Sequence, residues 1–263
     1  MNATNGETVL VTGASSGIGL ELARCFAADK SRLVLVARNT AALQMLADEL
    51  QREHGIQTMV LTADLSHPET PSRVFNELQQ AGVTVDVLVN NAGFGAHGAF
   101  AELSLRRQLE MIQVNLTALT ELTGLFLPGM IERRRGGVLN VGSLAGFLPG
   151  PRMAVYFATK AYVLSFTEAL AEELVGTGLT VTALCPGPTS TNFGNVARGQ
   201  GEYRFKSPKM SAKVVARCGH RAFRKGQVLA IPGAQNHFLI LLTRITPRWF
   251  QRKIVKLFNA ARK

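Results

Sequence analysis

The chain has 263 residues, of which 46% are hydrophobic and 18% charged, with 25 glycines and 10 prolines. These proportions are typical of a globular protein with a large core, and they exclude a disordered chain, a collagen and a small disulfide-stapled protein. The formal charge of +11 is uneven, because residues 203–263 hold fifteen Lys and Arg and no acid, while residues 1–202 sum to −4. The basic character therefore belongs to the C-terminal quarter alone.

The cysteines and hydrophobic runs indicate a reducing compartment and no membrane span. Cys25, Cys185 and Cys218 are far apart and form no CxxC pattern, which indicates reduced thiols and no metal site. No run reaches the roughly 18 uninterrupted apolar residues of a span, and no secretory signal precedes the first strand. We expect a cytoplasmic protein, with peripheral membrane contact left open.

Short β-branched runs alternate with longer helical patterns along most of the chain. The runs are continuously hydrophobic, which is typical of parallel strands covered by helices on both faces. The predicted strands cover residues 8–12, 32–37, 58–62, 85–89, 138–141, 179–184 and 228–231. The predicted helices cover residues 17–28, 40–54, 69–81, 104–130, 153–176 and 211–224. The alternation predicts a doubly wound α/β fold whose ligands bind at the carboxyl ends of the strands.

A glycine-rich turn joins the first predicted strand to the first predicted helix. Residues 12–19 read TGASSGIG, a G-x-x-x-G-x-G spacing that differs from the G-x-G-x-x-G dinucleotide fingerprint. Glycines nevertheless permit a tight turn and let backbone N–H groups approach a diphosphate at the positive end of a helix. The predicted dinucleotide contacts are Gly13, Ser15, Ser16, Gly17, Ile18 and Gly19.

The end of the second strand indicates which dinucleotide binds. Proteins of this fold that prefer NAD place an Asp or Glu about 20 residues beyond the glycines, to bind the ribose 2′-hydroxyl. Here the stretch Val36-Ala37-Arg38-Asn39 contains no acid. A guanidinium suits a 2′-phosphate better than a neutral hydroxyl, so Arg38 and Asn39 predict NADP(H). The alternative is that Arg38 is a solvated residue ahead of the next helix.

Polar residues also follow the third and fourth predicted strands. Asp64-Leu65 and Asn90-Asn91-Ala92-Gly93 lie at the edge where adenine and ribose are expected. Either segment alone would be ordinary turn chemistry, since Asp, Asn and Gly commonly end strands. The further cofactor contacts predicted here are Asp64, Leu65, Asn91, Ala92 and Gly93.

Tyr156 and Lys160 lie four residues apart in a predicted helix and so share a face. A free tyrosine loses its proton near pH ~10, but a neighbouring ammonium lowers that pKa and permits acid–base catalysis near neutrality. Ser143 follows the fifth strand, where its hydroxyl can hold a substrate oxygen, and Asn115 can extend a polar chain behind Lys160. Alone, a Tyr-x-x-x-Lys pair is more often a surface pair, so the combination of motifs carries the prediction.

In order and spacing, these motifs together resemble the classical short-chain dehydrogenases/reductases, over about residues 7–232. The resemblance implies a seven-stranded Rossmann fold with Asn115, Ser143, Tyr156 and Lys160 as the catalytic tetrad. It implies reversible hydride transfer between the nicotinamide and a carbonyl or secondary alcohol. Since Arg38 predicts NADP(H) and cells usually keep NADPH reduced, we expect reduction to the alcohol. The Tyr–Lys spacing is similar to that of carbonyl and alcohol reductases and differs from that of enoyl reductases.

The resemblance also assigns cofactor contacts beyond the glycine turn. Tyr156 and Lys160 are implied to contact the nicotinamide ribose. Pro186, Gly187 and a threonine at Thr189 or Thr191 are implied to cover the carboxamide and phosphates. The family usually forms homodimers or homotetramers through the long helices, here residues 104–130 and 153–176.

The residues expected at the substrate end are apolar, apart from Ser143. They are Phe94, Gly95, Phe147, Pro149 and Phe193. This set indicates a hydrophobic ketone such as an acyl chain, a steroid or an aromatic carbonyl. The alternative is that an apolar lining is normal for any pocket. A second class of function, an NADPH-binding sensor or scaffold with little turnover, is disfavoured by the intact tetrad.

We predict a dinucleotide-binding domain over residues 1–235 and a basic amphipathic extension over residues 236–263. Thr246-Pro247 predicts a helix start. Beyond it, apolar residues recur at helical spacing (Trp249, Phe250, Ile254, Leu257, Phe258) among cations (Arg248, Arg252, Lys253, Lys256, Arg262, Lys263). Such a helix binds an anionic membrane surface, packs on the domain or on another subunit, or binds an acidic partner. No nucleic acid is expected.

Residues 189–210 are a candidate lid, with an ordinary surface loop as the alternative.

Overall fold

Seven parallel strands form the central sheet in a computed structural model of the protein, which describes residues 6–191, 193 and 209–259. The strands are β1 (Thr8–Thr12), β2 (Arg32–Ala37), β3 (Thr58–Thr62), β4 (Val87–Asn90), β5 (Gly137–Val141), β6 (Thr180–Leu184) and β9 (Leu229–Ala230). Their order is β3-β2-β1-β4-β5-β6-β9. The chain therefore reverses its direction of winding between β1 and β4, where doubly wound proteins bind ligands.

Helices cover both faces of this sheet. They are α1 (Gly17–Ala28), α2 (Thr40–His54), α3 (Thr70–Gln80), α4 (Leu105–Ile112), α5 (Ala118–Arg133), α6 (Ala154–Glu173), α7 (Ala212–Arg224), α8 (Ala234–Ile245) and α9 (Arg248–Phe258). In β1, Val9 and Val11 pack with Phe26 and Leu43, whereas Leu10 packs with the opposite layer. This period of two, with both faces buried, explains the continuous hydrophobicity of the strands. The predicted fold class is confirmed.

The predicted helix over residues 104–130 is interrupted by a π-helical turn, Gln113–Thr117, between α4 and α5. A π turn inserts a residue into the helix and changes the direction of the side chains around it. Here it buries Asn115, which is 1% exposed, against α6. By length and composition alone, Leu105–Arg133 could cross a membrane. Leu122 and Phe126 instead pack it into the core of the domain.

A buried chain of hydrogen bonds holds α6 in place. Asn90 Nδ2 donates to Asn140 Oδ1 (3.0 Å) and to Thr123 Oγ1 (3.1 Å). Asn140 Nδ2 donates in turn to Thr167 Oγ1 at 3.0 Å. The chain joins β4 and β5 to α5 and α6, and it fixes the helix that carries Tyr156 and Lys160.

A cluster of ion pairs anchors α7 to the start of the chain. Arg224 donates to both carboxylate oxygens of Glu7, at 3.0 and 2.6 Å, and to Asp29 at 2.8 Å. His220 Nε2 lies 2.8 Å from Asp29. The guanidinium also stacks over the ring of Phe26, 4.9 Å from its centroid. Arg224 is therefore the cation that pairs with a carboxylate only 6% exposed.

The C-terminal extension forms two helices, α8 and α9, and we call them together the C-terminal hairpin. Gln251, 6% exposed, donates from Nε2 to the carbonyls of Thr243 (2.8 Å) and Thr246 (2.7 Å), which closes the hairpin. At its far end, Asn259 Nδ2 donates to the Pro151 carbonyl (3.0 Å), and the Asn259 carbonyl accepts from His97 Nε2 (2.7 Å). The hairpin therefore lies against the domain at the carboxyl edge of the sheet.

Two short strands, β7 (Thr189–Ser190) and β8 (Met210–Ser211), pair in parallel beside this edge. They bring together the two ends of the segment predicted as a lid. Residues 192 and 194–208 of that segment, and Arg262 and Lys263 of the extension, lie outside the described residues. The lid stays a prediction.

Candidate active site

The glycine turn approaches Asn91 so closely that it leaves no space for side chains. Gly13 and Gly17 have φ values of +65° and +61°, in the left-handed region that favours glycine. A Cβ on Gly13 would lie 2.8 Å from Asn91 Nδ2, and a Cβ on Gly19 would collide with the same amide. A Cβ on Gly17 would lie 3.1 Å from Thr191 Cγ2. Together the glycines form a narrow cradle at the start of α1.

The motif after β4 holds this cradle in shape. Asn91 Nδ2 donates to the carbonyls of Thr12 (2.8 Å) and Gly13 (3.1 Å). The Thr12 hydroxyl accepts from the backbone amides of Asn91 and Ala92, both at 3.0 Å, and donates to the Val89 carbonyl at 3.2 Å. The two motifs that co-occur in the sequence are therefore one structural unit.

Arg38 lies at the end of β2, where a ribose 2′-substituent is expected. Its side chain is 73% exposed, and Nη1 lies 3.8 Å from Asp64 Oδ2. Burial raises the pKa of Asp64, but the hydrogen bonds from Ser66 and the charge of Arg38 outweigh it and hold the pKa below its usual value. Asn39 begins α2 by accepting a hydrogen bond from the Ala42 amide at 3.0 Å. The guanidinium is thus held loosely by one carboxylate and remains accessible from the cavity.

These residues fit a nicotinamide dinucleotide. Gly13 and Gly17 present backbone without a side chain to the cavity, so a diphosphate can approach the turn closely. Ser16, which precedes α1, makes no capping hydrogen bond with its side chain. The first amides of α1 are therefore available to phosphate oxygens at the positive end of the helix. Residues 13–19 would hold the diphosphate, and Arg38 would reach the adenosine ribose.

Lys160 is a buried cation at the other end of the cavity. It is 6% exposed, and Nζ donates to the Val141 carbonyl at 2.7 Å. Burial lowers its pKa from 10.5 to about 8. Since that value still exceeds neutral pH, the side chain is mostly protonated under physiological conditions. An uncompensated buried ammonium is costly, and such perturbed groups concentrate at functional sites.

Asn115 lies directly behind Lys160, across Gly93. Its Oδ1 accepts from the Phe94 amide (3.0 Å), and its Nδ2 donates to the Phe94 carbonyl (2.9 Å) and to Thr159 Oγ1 (3.1 Å). A Cβ on Gly93 would lie 3.0 Å from Asn115 Oδ1 and 3.7 Å from Lys160 Nζ. Gly93 therefore leaves a gap that is bordered by Asn115 Oδ1 and Lys160 Nζ.

Tyr156 and Ser143 complete the polar end of the cavity. Tyr156, 9% exposed, belongs to a small apolar cluster, and its ring centroid lies 5.3 Å from that of Phe193. The Ser143 hydroxyl accepts from the Ala145 amide at 3.1 Å, so its own hydrogen is free to be donated elsewhere. Both side chains line the same cavity as Lys160. Cys185, fully buried nearby, is not nucleophilic, because burial raises the pKa of its thiol to about 12.

The structure brings most of the predicted site residues together around one cavity. Those in its wall are Gly13, Ser15, Ser16, Gly17, Ile18, Arg38, Asn39, Asp64, Leu65, Asn91, Ala92, Gly93, Phe94, Ser143, Tyr156, Lys160, Pro186, Gly187, Thr189, Thr191 and Phe193. Gly19 and Asn115 are not in the wall. Gly19 leaves the space that the Asn91 amide occupies, and Asn115 hydrogen-bonds to Phe94 and Thr159.

Three residues predicted at the substrate end lie outside this wall. Phe147, the last residue of the 3-10 turn Leu144–Phe147, packs with Leu144 and Ile231 in a separate core cluster. Gly95 lies behind the rings, where a Cβ would be 2.9 Å from Phe193 Cζ. Pro149 does not line the cavity, whereas Leu148 and Met153 do.

Other residues of the wall were not predicted. Arg107 stacks over Phe94, with Cζ 3.9 Å from the ring centroid. Gln113, in the π turn, has a buried Nε2 without a hydrogen-bond partner among the described residues, so it can donate to a ligand. The largest omission is the inner face of the C-terminal hairpin: Phe238, Leu239, Leu242, Phe250, Ile254 and Val255. Helical spacing on α4 could have indicated Gln113, but nothing local in the sequence places the hairpin over the cavity.

The cavity encloses about 2340 Å³ and runs from the glycine cradle to the hairpin. Ligand pockets usually measure about 300–1,000 Å³. A dinucleotide therefore leaves space for a second, sizeable molecule between Tyr156 and the hairpin. Ser143, Tyr156 and Lys160 line the cavity between these two spaces, an arrangement that suits hydride transfer between two ligands.

Comparisons with known proteins agree with this geometry. Residues 7–200 match the family model described as short chain dehydrogenase. The chain is 35% identical over 211 residues to the ketoacyl reductase HetN of Nostoc sp., covering 80% of this chain and 71% of that protein. The protein belongs to the short-chain dehydrogenase/reductase family, so it is an oxidoreductase that acts on alcohol and carbonyl groups with a nicotinamide cofactor.

Two solved structures are similar over nearly the whole chain. A short-chain dehydrogenase from Sphingobium yanoikuyae in complex with NADPH has a TM-score of 0.79 and 31% identity, covering 92% of this chain and 96% of that one. The bulky-bulky ketone specific alcohol dehydrogenase from Comamonas testosteroni has a TM-score of 0.78 and 30% identity, covering 92% and 93%. Both likenesses extend beyond the glycine turn to the whole α/β domain.

Proposed function

We propose that this protein uses NADPH to reduce hydrophobic ketones to secondary alcohols. The observation that carries the proposal is a single cavity with Arg38 at one end, Ser143, Tyr156 and Lys160 in the middle, and the apolar inner face of the hairpin at the other end. Arg38 favours a 2′-phosphate. The central polar group supplies the acid, and the hairpin face accommodates an apolar substrate.

The chain's own residues perform the proton chemistry. The hydroxyls of Ser143 and Tyr156 hold the carbonyl oxygen, and Tyr156 donates its proton to that oxygen as negative charge develops there. The Lys160 ammonium stabilises the resulting phenolate. Lys160 and Asn115 border the gap at Gly93, through which a water can return the proton. When bound, the reduced nicotinamide supplies the hydride that attacks the carbonyl carbon.

The preference for NADPH rests on Arg38. Its guanidinium is exposed at the cavity edge, and no acidic residue at the end of β2 competes for a ribose hydroxyl. The 3.8 Å contact with Asp64 is weak enough to yield to a doubly charged phosphate. The similar dehydrogenase from Sphingobium yanoikuyae, in complex with NADPH, supports the same choice.

The preference for a hydrophobic ketone rests on the size and walls of the cavity. Its space beyond Tyr156 is bounded by Phe94, Met153, Phe193 and Phe250, and water expelled from such walls favours apolar ligands. The relatives named for ketoacyl and bulky ketone substrates support this class. We also propose that the protein is a homodimer or homotetramer.

The test is NADPH consumption by the purified full chain with a panel of ketones and β-ketoacyl esters. Bulky and long-chain ketones are expected to give a higher kcat/KM than acetone, and NADPH a higher kcat/KM than NADH. NADPH binding without consumption on any ketone would instead favour a sensor or scaffold. A preference for small polar ketones would overturn the substrate class alone.

A further inference from the structure

The outer surface of the C-terminal hairpin exposes large apolar side chains. Leu241 is 58% exposed, Ile245 75%, Trp249 55% and Leu257 57%. They extend across both helices of the hairpin and none of them lines the cavity. Several large apolar side chains exposed on one pair of helices are typical of an interaction site.

Cations surround these apolar side chains. The exposed basic residues of the hairpin are Arg244, Arg248, Arg252, Lys253 and Lys256. Among the described residues, none of the five has a carboxylate within 4.0 Å, and residues 203–263 contain no acid. Lys253 Nζ lies 5.4 Å from the centroid of the Trp249 ring. The surface is therefore both apolar and strongly positive.

The opposite side of the same helices is the wall of the substrate cavity. Leu242 and Phe250 lie in that wall and are also 38% and 44% exposed, so they form its rim. Ile254 and Val255 lie deeper. A molecule that leaves the outer surface of the hairpin thus reaches the catalytic cavity past apolar side chains only a helix thickness away.

We propose that the outer surface of the hairpin binds an anionic lipid bilayer and that the cavity receives its ketone from that bilayer. Basic amphipathic helices lie in the plane of a bilayer, with the apolar face in the acyl boundary and the cations on anionic headgroups. Trp249 and Lys253 are the side-chain types that favour this boundary. The delivery step rests on the proposed function, but the binding step does not.

The charge distribution favours a bilayer over a second copy of the chain and over an acidic protein. A second copy that docked through the same surface would place five cations against five, and like charges disfavour that contact. An acidic protein would pair with the cations but would not require Leu241, Ile245 and Trp249 to be exposed together. A bilayer satisfies both features at once.

The binding test is co-sedimentation of the full chain with phosphatidylcholine vesicles, with and without phosphatidylserine. One variant removes apolar groups (Leu241→Ser/Ile245→Ser/Trp249→Ser), and one removes charge (Arg248→Gln/Lys253→Gln). We expect wild-type binding to require phosphatidylserine and each variant to lower the partition coefficient by about tenfold or more.

Two control variants match these changes elsewhere on the surface. Met45→Ser/Val175→Ser removes apolar side chains that are 74% and 73% exposed, and Arg52→Gln/Lys225→Gln removes exposed charge. Both controls should bind vesicles within twofold of wild type. Equal binding by wild type and both hairpin variants would overturn the proposal. Loss of vesicle binding in the charge variant alone would also overturn it, because charge would then hold the protein on the headgroups without the apolar side chains entering the bilayer. A smaller oligomer in the apolar variant with unchanged vesicle binding would overturn it as well and indicate a second copy.

The delivery step is tested with one long-chain ketone in phosphatidylserine vesicles and one short, water-soluble ketone. The hairpin variants should reduce the vesicle-borne ketone at least fivefold more slowly and the soluble ketone at the wild-type rate. Equal rates on the vesicle-borne ketone would overturn delivery. If no ketone is reduced at all, the proposed function fails while the sedimentation result still stands.

Discussion

Replacement of Lys160 by methionine should stabilise the cofactor-free protein while it removes activity. Burial lowers the pKa of Lys160 from 10.5 to about 8, and at about 1.36 kcal/mol per pKa unit the buried charge costs about 3 kcal/mol at pH 7. Methionine has a similar length and no charge, but it leaves the Val141 carbonyl without its hydrogen bond, at a cost of about 1 kcal/mol. The free energy of unfolding should therefore rise by about 2 kcal/mol.

The sign of this effect depends on pH. Below pH 8 the lysine is protonated in both the folded and the unfolded chain, so the full cost of burial is present. Between about 8 and 10.5 the folded protein loses the proton first, stability of the wild type rises, and the cost disappears. The advantage of the variant should therefore be full at pH 7, decrease above pH 8 and be lost before pH 10.5.

The assay is urea unfolding of wild type and Lys160→Met across this pH range, with kcat measured in parallel. Lys225→Met, at an exposed position after α7, is the matched control and should leave stability within about 0.5 kcal/mol. A Lys160→Met protein that is less stable than wild type at pH 7, or whose advantage is independent of pH, would show that the buried charge of Lys160 does not destabilise the fold.

Three further substitutions test the rest of the account. Tyr156→Phe should lower kcat by at least about 100-fold with the Kd for NADPH unchanged, and retention of a tenth of kcat would remove Tyr156 from the acid role. Arg38→Asp should raise the KM for NADPH by about tenfold or more; an unchanged NADPH/NADH preference in initial rates would defeat that assignment. Arg224→Met leaves Glu7 without its cation and should lower the free energy of unfolding by about 3 kcal/mol at pH 7. Burial raises the pKa of Asp29, but its hydrogen bonds with His220 and Arg224 outweigh this and lower it. Part of the stability that Arg224→Met loses should therefore reappear in urea titrations below about pH 4, where Asp29 becomes protonated. A loss of stability that does not change with pH would contradict the link between Asp29 and Arg224.

The central sheet was predictable because its signals are local. The run of five buried residues Thr8–Thr12 and the glycines that follow determine a strand, a tight turn and a helix start within twelve residues. The same holds for Asn91, whose role is evident from its place at the end of a strand beside β1. The cofactor end of the site therefore followed from residue type and strand order.

The substrate end was less predictable, because it depends on contacts distant in the chain. Phe147 is apolar and close to Ser143 in sequence, yet one 3-10 turn directs it into a core cluster with Ile231. The π turn that buries Asn115 also has no clear sequence signal. Above all, the hairpin reaches the cavity through Asn259, which pairs with Pro151 108 positions earlier. Helical periodicity predicts α9 but cannot say what it covers.

Hydride transfer can be followed directly with NADPH that carries deuterium in both positions at C4 of the nicotinamide. With a bulky ketone, we expect deuterium on the carbinol carbon of the alcohol made by the wild type, and at least about 100-fold less of this product in the same time from Tyr156→Phe. An unlabelled alcohol, or equal labelled product from both proteins, would contradict this expectation.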